Sequence, residues 1–194
     1  MSIKYEERKK QILEAASNCF SNKGFHKTSM QDICNEVNMS PGSLYRYFKS
    51  KEDIIETMAQ QESAQCLELL ETLKATDDII GSLIDNANCV LSRMLERRVA
   101  AIFVEITSEA NRNPRIHDML AKIDAKVIAL YKDVIETEQQ QGKIKSSIDA
   151  LSAAQLIIAI INGLTYRSIV TDEYNVDMIK KELGNLFSSW LDPQ

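Results

Sequence analysis

The chain has 194 residues, 44% of them hydrophobic, with only three prolines and six glycines, so it can bury a core and leans towards helix. The opening MSIKYEERKK has charges where a signal peptide needs its apolar segment, so a cytosolic protein is expected, and the apolar run at Ala153–Ile161, broken by Gln155, is shorter than the roughly 20 residues that span a bilayer. Net charge is −5, yet residues 1–51 carry nine Lys/Arg against five Asp/Glu, while residues 52–194 carry fourteen against twenty-three. A basic head on an acidic body fits a cytoplasmic protein that touches phosphates at one end and no membrane.

In chain order, Ile12, Ala16, Cys19 and Phe20 set a helical stripe over about Tyr5–Asn22, and Lys23-Gly24 ends it. Arg8, Lys9 and Lys10 oppose the dipole at its start, which a nearby phosphate backbone or plain solvation explains. Ser29-x-x-Asp32 is a capping box that opens a second helix, with Ile33 and Val37 on its buried side. Asn38 stops that helix and Met39 plugs the turn. Ser40 caps a third helix of about two turns, with Pro41 at its first position and Leu44 and Phe48 facing inward. Gly42, Ser43, Tyr45, Arg46, Tyr47 and Lys49 are left on the outer faces. Two tyrosines and an arginine suit base edges, thymine methyls and phosphate oxygens better than a solvated face. Thr28, Ser29, Gln31 and Lys51 complete the expected DNA-binding set, with Thr28 and Lys51 as phosphate clamps. Ser50-x-x-Asp53 reads as another capping box and opens the fourth helix.

This stretch resembles the DNA-binding domain of the TetR/AcrR family of bacterial transcriptional regulators. The resemblance rests on Ile12–Ala16 with Phe20, Gly24-Phe25, Thr28-Ser29, Asp32-Ile33, Val37, Ser40, Gly42-Ser43-Leu44-Tyr45, Tyr47-Phe48 and Ser50-Lys51. It implies that the third helix enters the major groove and that Tyr45, Tyr47 and Lys51 contact DNA. Pro41 departs from the polar residue that many relatives carry there.

The fourth helix runs from about Lys51 into the Leu69–Lys74 region, and Ala75–Asp78 is a break, with Thr76 or Asp77 as the next cap. Further helices are expected over Asp78–Glu96, Arg98–Asn111, Pro114–Gln140, Ala150–Val170 and Val176–Leu191, ending at breaks such as Asn113-Pro114 and Gly142. The expectation is an all-α protein of about nine helices. A three-helix helix-turn-helix DNA-binding domain occupies 1–50, and a helical ligand-binding and dimerisation domain occupies 51–194. Ala150–Val170 is apolar almost all round, so one side can face the core and another a partner subunit. Its Leu156, Ile160, Gly163, Leu164 and Arg167, with Leu183, Leu186, Phe187 and Trp190 of the last helix, form the expected homodimer interface, a four-helix bundle about a two-fold axis.

Catalytic constellations are missing. The four cysteines make no CxxC, His26 and His117 are isolated, no E-x-x-H occurs, and the glycines form no phosphate loop. No metal, cofactor or enzymatic activity is expected. The body is expected instead to enclose an apolar effector pocket. Candidate lining residues are Cys66, Cys89, Met94, Phe103, Ile106, Tyr131, Asn162 and Tyr166, with Asn162 and Tyr166, one turn apart, foremost. The reading is a ligand-responsive repressor of a palindromic double-stranded operator. The alternatives are a helical carrier or sensor without operator DNA, and an enzyme on a helical bundle.

Overall fold

The computed structural model describes residues 3–71, 78–171 and 175–193, the side chains of residues 62, 65, 66, 69–71, 97 and 98 excepted. Among the described residues there are nine α-helices and no strand: α1 (Ile3–Lys23), α2 (Met30–Glu36), α3 (Pro41–Leu44), α4 (Lys51–Glu71), α5 (Ile79–Met94), α6 (Arg97–Ala110), α7 (Pro114–Gln140), α8 (Ala150–Val170) and α9 (Val176–Leu191). The expected pocket role of Cys66 and the expected caps Thr76 and Asp77 lie outside the described residues. The cap of α5 is Asp78, whose carboxylate accepts from the Gly81 N–H at 2.9 Å.

Local chemistry sets most helix ends. Gly24 closes α1 at φ +80°, and its N–H donates to the Phe20 carbonyl at 2.9 Å. Asn38, at φ 52°, turns the chain after α2, a conformation that asparagine tolerates better than most residues. Asp149 caps α8 by accepting from the Ser152 N–H at 2.8 Å, and Asn175 caps α9 by accepting from the Met178 N–H at 3.0 Å.

Two expectations fail locally. α3 is one turn, not two: residues 45–47 continue as a turn, with the Tyr47 and Phe48 N–H groups both directed at the Leu44 carbonyl. Ser50 and Asp53 form half a box. The Asp53 N–H donates to Ser50 Oγ at 3.2 Å, but the Asp53 carboxylate turns to the Lys49 N–H and to Arg115.

The chain packs as two compact units, residues 1–62 with 101–121, and residues 63–100 with 122–194. The first has its own core of Ile12, Ala16, Phe20, Phe25, Ile33, Leu44, Phe48, Ile54 and Ile55, all buried, with the Phe20 and Phe25 rings 5.2 Å apart. Each large side chain so buried contributes about 1.5–3 kcal/mol.

The second unit is built from α5, most of α7, α8 and α9 around Leu83, Leu91, Tyr131, Ile135, Ile157, Leu183 and Phe187. Leu183, Phe187 and Leu191, each four apart, make the inward stripe of α9. That corrects the interface expectation for Leu183 and Phe187: both fill this chain's own core and have no surface left for a partner. α8 is 21 residues long and apolar enough to cross a bilayer by length and composition, unlike its interrupted apolar run taken alone. Ala150, Ala153, Ala154, Ile157, Ile161 and Thr165 are buried within the protomer.

Candidate nucleic-acid interface

The head is shaped by its caps. The Asp32 carboxylate accepts from the Ser29 N–H at 2.8 Å and the Ser29 hydroxyl at 2.6 Å, while Ser29 Oγ accepts from the Asp32 N–H at 3.1 Å. Lys23 Nζ sits 2.6 Å from the other carboxylate oxygen. Lys23 first, and then the Ser29 donors, hold the Asp32 carboxyl well below the usual carboxylate range. Across the turn, Ser40 Oγ accepts from the Ser43 N–H at 3.3 Å, and the two serine hydroxyls are 2.9 Å apart.

This framework sorts the ten expected DNA contacts. Tyr45 is 50% exposed, and Gln31, Gly42, Arg46 and Lys49 are exposed with it. No atom approaches within 4 Å of where a Gly42 side chain would begin, so a DNA backbone could come close there. Tyr47 is half-buried, its ring stacked on that of Tyr5. Ser29 is occupied as the cap of α2, and Ser43 is tied to the Ser40 cap through its N–H and hydroxyl.

Thr28 and Lys51 are not clamps. Thr28 is 2% exposed, and its hydroxyl donates to the Gly24 carbonyl at 2.8 Å. It ties the α1–α2 link together and has no face to offer a phosphate. Lys51 Nζ points at the carbonyls of Phe25 (2.7 Å), His26 (3.2 Å) and Thr28 (3.2 Å), and lies 4.4 Å from the Phe25 ring centroid. Its three donors are thus taken by the loop ahead of α2, where the chain's carbonyls have no helical partners.

Residues 101–121 add contacts to this unit. The Phe25 N–H donates to Glu105 at 2.8 Å. Glu109 is buried, with Oε2 at 2.8 Å from His26 Nε2 and 3.5 Å from Arg112 Nε. Arg115 reaches both Asp53, at 2.7 Å, and Glu56. Burial works against the Asp53 charge, but Arg115 and the Lys49 N–H outweigh it and hold its pKa down. An open groove of about 270 Å³ between α1 and α2 is lined by Asn18, Cys19, Asn22, Lys23, Asp32, Asn35 and Glu36. Its lysine is already paired with Asp32, and Asn18 Nδ2 donates to Glu36 at 3.1 Å, so it has the character of a solvated seam.

The expected effector residues are not gathered into one set. Phe103 and Ile106 belong to the first unit, whereas Cys89, Met94, Tyr131, Asn162 and Tyr166 belong to the second. Cys89 is exposed and Tyr166 is 55% exposed, so neither lines an interior pocket of this chain. Asn162 and Met94 are half-buried, while Tyr131 and Ile106 are buried. Tyr131 donates its hydroxyl to Asn86 Oδ1 at 2.8 Å, and Asn86 is a residue the sequence reading missed. The Asn86 amide nitrogen is buried with no hydrogen-bond partner among the described residues. Leaving such a donor unmet costs about 1–3 kcal/mol. The described residues contain no cluster of three or more His, Cys, Asp or Glu arranged to hold a metal.

A one-turn helix and the turn after it, presenting Tyr45 and Arg46 from a capped, well-filled frame and followed by an all-helical body, define a helix-turn-helix DNA-binding regulator. Residues 12–58 match the family model for bacterial regulatory proteins of the tetR family, and residues 89–183 match the C-terminal model of BetI-type transcriptional repressors. The chain belongs to the TetR family of transcriptional regulators. It is similar to the HTH-type transcriptional regulator UidR of Escherichia coli strain K12, 28% identical over 168 residues that span 84% of this chain and 83% of UidR. It is also similar to the solved structure of Salmonella enterica GusR, with a TM-score of 0.80 and 28% identity over 95% of both chains. The structure of Bacillus subtilis FadR in complex with stearoyl-CoA shares the fold, with a TM-score of 0.82 at 21% identity, over 92% of this chain and 97% of that one.

Proposed function

We propose that the protein is a homodimeric repressor, released from a near-palindromic operator by a small, largely apolar molecule bound in its body. The observation that carries the DNA reading is the pair Tyr45 and Arg46, both exposed in the turn that follows α3, between Leu44 and Phe48, which are locked into the core. Tyr45, Arg46 and Gln31 would read base edges, Lys49 would meet a phosphate, and Gly42 would admit the backbone. Two such heads in a dimer would engage half-sites about 34–36 Å apart.

The dimer reading is supported by the outer stripe of α8. Leu156, Ala159, Gly163, Arg167 and Val170 recur at helical spacing and are exposed, and nothing lies within 4 Å of a side chain built on Gly163. A second helix could approach that stripe closely; Leu186 of α9 is half exposed, and Ile160, Leu164 and Trp190 are partly buried. The effector reading is supported by the apolar body and by the complex of a same-fold relative with a fatty acyl thioester. Such a molecule acts by binding one head spacing more tightly than another, and can shift the population only by that difference. Operator DNA as the partner places the protein in the cytoplasm.

A gel shift and footprint on DNA upstream of the protein's own gene tests the reading. A protected two-fold pattern is expected, with affinity falling as salt rises. A salt-insensitive or featureless footprint would overturn it.

A further inference from the structure

Most buried polar groups in the described body are accounted for. The Thr165 hydroxyl donates to the Ile161 carbonyl at 2.9 Å, and Glu138 Oε2, which has no hydrogen bond among the described residues, has the charge of Lys143 Nζ at 3.4 Å. Asn86 is different. It is 6% exposed, its carbonyl oxygen is taken by the Tyr131 hydroxyl, and its NH₂ faces the interior with no acceptor. Flipping the amide only moves the deficit, because the other amide atom is then left unmet. Tyr131 itself is 2% exposed and belongs to the apolar core with Leu83, Val134 and Ile157. Asn88, whose Oδ1 is also buried and unmet, stands roughly 200° around α5 and does not share this environment.

An apolar pair, leucine at 86 with phenylalanine at 131, would fill the same space with no unmet donor. An asparagine held in place by a tyrosine, with its donor pointing inward, is the arrangement of a polar group that recognises a guest. The charge of that guest is constrained as well. No Lys or Arg among the described residues is buried, so an ionised oxygen on the ligand would have no counter-charge there.

Resting on the effector reading above, we infer that Asn86 and Tyr131 form the polar anchor of the effector site, with Asn86 donating to a neutral oxygen, a carbonyl or a hydroxyl, on an otherwise apolar small molecule. Tyr131 orients the amide and keeps its donor side turned to the ligand. Specificity for an oxygenated over a purely hydrocarbon molecule then rests on this one amide, because any ligand that cannot accept leaves it unmet.

The test uses the full-length protein and three probes of equal length, heptan-2-one, heptanoate and heptane, with thermal unfolding as the readout. Asn86→Leu combined with Tyr131→Phe, which removes the amide and the hydroxyl that bonds to it together, is expected to raise the midpoint without probe by about 2–4 °C, because no donor of this pair is then left unmet. The ketone is expected to raise the wild-type midpoint and to lose that effect in Asn86→Leu. The milder Tyr131→Phe should shrink the same shift. An unchanged or lowered midpoint in the double variant Asn86→Leu with Tyr131→Phe, a ketone shift that survives Asn86→Leu, or a larger response to heptanoate than to the ketone would each overturn the anchor. If a shift survives the substitution, the body still binds small molecules and only the anchor is wrong. If no probe moves the wild type, the effector reading fails together with it.

Discussion

The ring of Tyr5 lies against the ring of Tyr47, with centroids 4.7 Å apart and planes at 22°. Tyr47 ends the recognition turn, and Tyr5 sits in the first turn of α1, so the start of the chain braces the edge of the candidate DNA surface. Such a stack is worth about 0.5–1.5 kcal/mol beyond the area it buries. Tyr5→Ala is expected to weaken operator binding by about 2- to 12-fold through a looser Tyr47, and Tyr5→Phe to restore it. Equal affinities for Tyr5→Ala and wild type would show that the stack does not bear on DNA.

Lys49 and Lys51 are two residues apart and separate cleanly by role. Lys51 is committed to three carbonyls of the head, whereas the Lys49 side chain is exposed. Lys51→Ala is expected to cost about 1–3 kcal/mol of stability, since it removes a charged donor shared by three carbonyls, two of them part-buried. It should leave the salt dependence of binding unchanged in the fraction that stays folded. Lys49→Ala should do the reverse: little change in unfolding, and a log–log salt slope lowered by about one per protomer. Salt titrations of both variants, read against their denaturation curves, decide the matter.

Much of the head was legible because its signals are local. Ser29 with Asp32, Ser40 with Pro41, and Gly24 each act within a few residues, and the hydrogen bonds fall where that chemistry puts them. Thr28 misled because a threonine beside a cap reads as surface, while its burial is decided by the carbonyls of Gly24 and Cys19. What pattern could not supply was long-range pairing. Glu105 reaches back eighty residues to Phe25, Arg115 sixty-two to Asp53, and Tyr131 forty-five to Asn86. No periodicity encodes which turn of a helix meets which distant carboxylate. The same limit appears on α9, where adjacent residues Leu186 and Phe187 looked alike and face opposite ways.

Arg115 bears on acid stability through Asp53. The Asp53 pKa is lowered in the folded state, so the unfolded chain binds the proton more readily. The stabilisation it provides is therefore fully present above the unfolded value of about 3.9 and is lost as pH falls through the lower folded value. In Arg115→Ala the two values come closer together. Between neutral pH and pH 3 the variant is expected to start less stable and to lose less stability on acidification than wild type. Unfolding midpoints that run parallel for the two proteins across that range would remove Arg115 as the cause.

Leu186 and Phe187 provide the sharpest test of the assembly. Leu186 is 50% exposed on a single chain, and Phe187 is 0% exposed. If α8 and α9 pair with their copies, a charge at 186 would be driven into a partner's apolar face without a counter-ion. Leu186→Glu, with Leu156→Glu as a second probe on α8, is expected to yield folded monomers in sedimentation with little loss of helicity. Phe187→Ala instead opens a cavity inside the protomer and is expected to cost about 3–5 kcal/mol. Its first consequence should be a lower unfolding midpoint, with the dimer persisting for as long as the chain is folded. A dimer that survives both glutamate substitutions would place the contact on some other face. Operator affinity would then have to be explained without the two-fold register that these helices are proposed to set.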